Sequence, residues 1–247
     1  MSSQDFIIFL GVNIDLFKTC FFPKEKESVK SKEWASHELI ILDDESATVA
    51  RDLSNVLQKS GVLSVVFQDT DLDASLLNIL KKFYDSGGLV VFFGIYGVYA
   101  DPSRLSDIFS LPEAWAFSGY TKHAYELTYT CMEIIGWGAK GQEYTKSNLL
   151  RVPIQDRWMV PKPLSLHSYI EEHAGSLDGE APDEEWKIEA EKAKNEYVKY
   201  CERHYEQCPL AVHKNKKGGK LAYLGFVNGD DNLPNIVRAL VARRKIR

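Results

Sequence analysis

At 247 residues the chain is long for one domain, yet within the range of a single α/β unit. Apolar residues make up 45 % and charged residues 26 %, enough apolar mass for a sizeable core, and the net charge of −5 excludes a broad nucleic-acid-binding surface. The four cysteines are too few for a disulfide framework, and no signal peptide or apolar run of bilayer length occurs, so a cytoplasmic protein with reduced thiols and no membrane association is expected.

Phe6 to Val12 is a continuous apolar run of strand length. Residues 18–36 are polar and irregular and read as an exposed, mobile loop. Glu38 to Asp44 is a second strand closed by acids. From Ser46 to Ser60, Val49, Leu53, Val56 and Leu57 form the stripe of an amphipathic helix, with Ser46 as N-cap and Gly61 as its stop. Val62 to Phe67 is a strand, and Leu72 to Tyr84 a helix with Leu76, Leu77, Leu80 and Phe83 on one face, ended by Ser86-Gly87-Gly88. Leu89 to Phe93 is apolar on successive residues, as expected of a strand covered on both faces. This alternation predicts a doubly wound, mostly parallel sheet in a flavodoxin-like three-layer α/β/α domain that spans residues 1–247.

Pro102 to Leu111 reads as a short helix, and Ala114 to Trp137 as an aromatic-rich, partly extended region. Arg151 to Pro163 carries three prolines. Residues 171–183, acidic and glycine-containing, are expected to be mobile. Glu184 to Glu206 is a long helix with Trp186, Ala190, Ala193, Tyr197 and Tyr200 as inward positions. Leu210 to His213 and Leu221 to Val227 form a hairpin around Lys216-Lys217-Gly218-Gly219, and a last helix runs from Leu233 to Val241. Arg243 to Arg247 is a basic, solvated tail.

Phe83-Tyr84-Asp85-Ser86-Gly87-Gly88-Leu89-Val90-Val91-Phe92-Phe93-Gly94-Ile95-Tyr96-Gly97, with Pro209 to His213 and Asn228-Gly229-Asp230, resembles the class I glutamine amidotransferase-like superfamily, and within it the ThuA-like branch. The resemblance covers residues 62–111 and roughly the last 40. It implies a helix ended by Gly-Gly, a buried strand, and a tight turn that presents the functional side chain. Catalytic members carry Cys at that elbow, and the ThuA-like branch carries His near it. This chain has Ile95 and Tyr96, and a phenol near pKa ~10 is a poor base at neutral pH.

Independently of any family, ligands of open parallel sheets bind beyond the carboxyl ends of the strands. Gly94 and Gly97 let the backbone bend and approach a ligand there, or simply serve the turn. The ligand-binding candidates are therefore Gly94, Tyr96, Tyr99, Asp101, Asp69 and His123. Asp69, Asp71 and Asp73 read first as helix-capping acids and second as Mg²⁺ or Ca²⁺ ligands, and Asp43-Asp44-Glu45 reads the same way. If Thr121 to Met132 is a strand, His123, Tyr125, Tyr129 and Cys131 share a face; an aromatic cover is the simpler reading beside a His/Glu126/Cys nucleophilic set. Cys201, His204 and Cys208 lie at i, i+3 and i+7, a packed helix face rather than a zinc site completed by His213. Walker, Gly-x-Ser-x-Gly and dinucleotide patterns are absent, so no cofactor is expected. The expected function is a non-catalytic binding module for a small metabolite or protein partner, with a homodimer allowed. The alternative is a hydrolase-like enzyme on a sugar or amide, using residues 94–101 with His123 or His167.

Overall fold

A computed structural model describes residues 5–10, 37–42, 48–58, 62–67, 74–92, 101–135, 142–176, 181–226 and 240. In chain order these form β1 (Asp5–Leu10), β2 (His37–Leu42), α1 (Val49–Leu57), β3 (Val62–Phe67), α2 (Ala74–Asp85), β4 (Leu89–Phe92), α3 (Pro102–Phe109), β5 (Ala116–Leu127) and α4 (Tyr129–Ile135). There follow β6 (Gln142–Arg151), a 3-10 turn (Ile154–Asp156), β7 (Arg157–Pro161), α5 (Leu166–Ala174), α6 (Glu184–Tyr205), β8 (Gln207–Cys208), β9 (Leu210–Lys214) and β10 (Lys220–Leu224).

One ten-stranded sheet runs β2-β1-β3-β4-β10-β9-β7-β5-β6-β8. From β2 to β10 neighbouring strands are parallel. From β10 to β8 every pairing is antiparallel. The α/β expectation holds, but the sheet is mixed. The expected late hairpin is β9 with β10, but the rest of the antiparallel half was not anticipated, because β6 opens with the polar run Gln142 to Ser147 and β7 follows Pro153 and ends at Pro161.

Successive residues of the central strands point to opposite faces. Val65, Val90, Leu221 and Tyr223 join one core with Leu53 of α1, Leu76, Leu77 and Leu80 of α2, and Leu105 and Phe109 of α3. Val66, Val91, Ala222 and Leu224 join the other, with Tyr125, Trp158, Met159 and Cys131 of α4. Both faces of the central strands are thus buried, which explains the unbroken apolar runs in β3, β4 and β10.

Helix α2 ends as its sequence dictates. The Gly87 and Gly88 N–H groups donate back to the Tyr84 and Phe83 carbonyls, and Gly87 takes φ +104, the left-handed form glycine adopts without penalty. Helix α6 starts at Asp183, whose carboxylate accepts from Trp186 N at 2.7 Å, and Glu184 and Glu185 face its positive end. Its Trp186, Ala190, Ala193, Tyr197 and Tyr200 pack on Tyr169 and Ile170 of α5, the inward set expected from spacing. The expected mobile segment 171–183 is partly structured, since residues 171–174 form the end of α5.

Candidate functional site

Most of the anticipated turn falls beyond reach: Gly94, Tyr96, Tyr99 and Asp69 lie outside the described residues, as do residues 18–36 and all of the last helix except Leu240. Asp101 is described, and its role is local. It is the N-cap of α3, its carboxylate accepting from Ser103 N at 2.9 Å and Ser103 Oγ at 2.7 Å. Those donors hold its carboxyl below the usual range.

His123 is half-buried on β5, its ring edge-on to His204 at 5.1 Å and to Tyr125 at 6.4 Å. From His204 the ring contacts continue to Tyr200, Tyr169 and His173. His204 Nδ1 donates to the Tyr200 carbonyl at 3.0 Å, leaving Nε2 buried with no hydrogen-bond partner among the described residues. Burial holds both imidazoles below their ordinary values; for His123 the His204 charge adds to this and Glu172 opposes it. His167 is exposed beside Glu171.

Two sequence groupings dissolve. The strand from Thr121 stops at Leu127, and α4 begins at Tyr129, so Cys131 is buried in a helix rather than aligned with His123. Likewise α6 ends at Tyr205, and Cys208 belongs to β8, paired with Leu150 of β6. It therefore shares no helix face with Cys201 and His204. No three His, Cys, Asp or Glu side chains among the described residues are arranged to hold a metal. Burial alone pushes the Cys131 thiol up to about 12, and burial foremost raises Cys208, with Arg157 opposing and Asp156 adding, which makes both poor nucleophiles.

The structure instead draws attention to the opposite edge of the sheet. A cleft of about 470 Å³ is lined by Tyr84, Phe109, Ser110, His213, Asn215 and Lys217, among others. It lies where α2 and α3 end and where the β9–β10 turn passes over them, at the amino-terminal ends of β4 and β10. One lining residue, His213, heads a buried polar chain behind it. His213, 8 % exposed, has Nδ1 at 3.1 Å from Asp156, itself 3 % exposed, and Trp115 Nε1 donates to the same carboxylate at 3.1 Å. A carboxylate only accepts, so Nδ1 carries a hydrogen. Nε2, an acceptor in the neutral ring and a donor in the imidazolium, has no partner among the described residues. Trp115 N donates to Ser106 Oγ at 2.7 Å, which ties the chain to α3.

The apolar wall is Tyr84 against Phe109, edge to face at 5.4 Å. Burial, then the Asp85 and Asp156 charges, push the Tyr84 phenol up to about 12. The turn is fixed by Asn215, whose Oδ1 accepts from Lys217 N and Gly219 N and whose amide donates to the Tyr84 carbonyl. Sequence reading singled out His213 only as a possible fourth zinc ligand. Nothing in the spacing pairs it with Asp156, because a 3-10 turn and an antiparallel register bring them together.

Comparison with protein-family models finds no match, and comparison with curated proteins finds none either. Among the described residues no helix is long and apolar enough to cross a membrane.

Proposed function

We propose that the chain is an amidotransferase-like α/β domain of the ThuA-like kind that acts by binding a small metabolite rather than by catalysis. One observation carries this reading. The cleft presents an imidazole backed by a carboxylate, yet no hydroxyl or thiol hydrogen-bonds His213 Nε2 among the described residues. A nucleophilic mechanism needs that contact. A volume of about 470 Å³ suits a metabolite-sized ligand.

The family and the flavodoxin-like, doubly wound arrangement belong to the same proposal. It is supported by the parallel strands, whose order β2-β1-β3-β4-β10 is the 2-1-3-4-5 sequence of such sheets, and by the Gly87-Gly88 helix end and the β9–β10 hairpin. The free thiols of Cys131, Cys201 and Cys208 support a cytoplasmic location. A protein partner, or a second copy of the chain, is supported by exposed large apolar side chains: Phe117, Tyr120, Tyr129 and Ile154 are each more than half exposed.

The test is a metabolite screen by thermal shift on the full chain, repeated on His213→Ala. Hits that vanish in the variant support the reading. Turnover of an ester, amide or glycoside substrate that is lost in the variant would overturn it.

A further inference from the structure

The hairpin over the cleft crowds like charges. Lys214 and Lys220 are directly opposed across β9 and β10, and Lys216 and Lys217 lie in the turn between them. Like charges in that position destabilise a strand pair. Burial, with the Lys214 ammonium beside it, pushes the Lys220 amine down. None of the Lys214, Lys216 and Lys217 ammoniums has an ion-pair or hydrogen-bond partner among the described residues.

The negative groups nearby are already engaged. Asp85 is held by Lys81 at 2.9 Å. The last carbonyls of α2 and α3 accept from the N–H groups of Gly87, Gly88, Ser110 and Leu111. The two helix dipoles that end here together offset only about one unit charge. Three ammoniums on one short segment leave positive charge in excess at the cleft mouth. Below them lie an apolar wall, Tyr84 with Phe109, and the unpartnered ring nitrogen His213 Nε2.

We infer that this cleft binds a small metabolite through an oxyanion group, phosphate or carboxylate, which Lys214, Lys216 and Lys217 hold while His213 Nε2 hydrogen-bonds the same molecule. This rests on the small-ligand reading above and narrows it to one ligand chemistry. The opposed lysines then make sense, because the ligand supplies the counter-charge that the hairpin lacks.

The experiment follows the His213 ring resonances of the full chain by NMR at low salt. The probes are inorganic phosphate and citrate, with glucose and acetamide as neutral probes. Phosphate or citrate should shift those resonances saturably, and the tighter of the two identifies the group. Affinity should fall at least tenfold in Lys214→Glu/Lys217→Glu and stay within twofold in Lys192→Glu, a control on α6. The double variant should also melt no lower than the parent, since reversal relieves the repulsion on Lys220. Should it fail to fold, Lys214→Gln/Lys217→Gln gives the same readout. Anion binding unchanged by these substitutions would overturn the inference. If glucose or acetamide shifts His213 while neither anion does, the inference falls and the small-ligand reading stands. If none of the four does, both fall.

Discussion

Gly87 and Ser110 occupy equivalent positions in two copies of one helix ending, at the ends of α2 and α3. At α2 the Gly88 N–H reaches the Phe83 carbonyl, and at α3 the Leu111 N–H reaches the Ser106 carbonyl, each a 6→1 bond closed by a left-handed residue. Gly87 holds that conformation freely, whereas Ser110, at φ +53, carries a Cβ that opposes it.

Ser110→Gly should therefore stabilise the chain, by about 0.5–1 kcal/mol. Chemical denaturation measures this. An unchanged or lower midpoint would mean that the serine side chain compensates for the strain.

Asp156 accepts from two buried donors, Trp115 Nε1 and His213 Nδ1. Asp156→Ala should cost about 2–3 kcal/mol, because both N–H groups lose their partner without gaining water. Asp156→Asn keeps one acceptor and should cost less. Equal losses in the two denaturation curves would show that the network contributes through shape alone.

Gly219 has no room for a side chain, since a Cβ there would overlap the Tyr84 carbonyl, while Gly218 is open but at φ +88. Gly219→Ala should cost about 1–3 kcal/mol from overpacking and disturb the cleft resonances. Gly218→Ala should cost about 1 kcal/mol from backbone strain and leave them in place. Amide spectra together with melts separate the two outcomes.

His123 and His204 titrate below their ordinary values in the folded chain. As pH falls below about 6.5, the unfolded chain takes up protons that the folded chain refuses, so stability is lost across the window between 6.5 and the depressed values. Melting temperature should drop from pH 7.5 to 5, and His123→Phe should make the drop shallower. An unchanged slope would remove His123 from the account.

Cys131 and Cys208 should resist alkylation until the chain unfolds, while the half-buried Cys201 reacts before either. Peptide mapping after timed iodoacetamide exposure checks this order.

The parallel half was legible in the sequence because its cues are local: unbroken apolar strands, amphipathic helices, and a Gly-Gly stop. Trp186, Ala190, Ala193, Tyr197 and Tyr200 were legible for the same reason. Beyond the β9–β10 hairpin, which its turn residues announced, the antiparallel half was hidden, because strands such as β6 take their order from partners far along the chain rather than from their own composition. The cleft was hidden too. The polar chain behind it joins Trp115, Asp156 and His213, three residues far apart in the sequence, and the carboxyl-edge rule points to the other end of the same strands.

The place of β10 has a consequence for how the chain is made. It is the seam of the mixed sheet, parallel to β4 on one side and antiparallel to β9 on the other. During synthesis β4 emerges over a hundred residues before the strand that covers its open edge. The nascent parallel half therefore carries an unpaired apolar edge for many seconds at ribosomal speeds. Such an edge is a template for non-native pairing, so a chaperone-poor or cell-free translation mixture is where aggregation should first be seen.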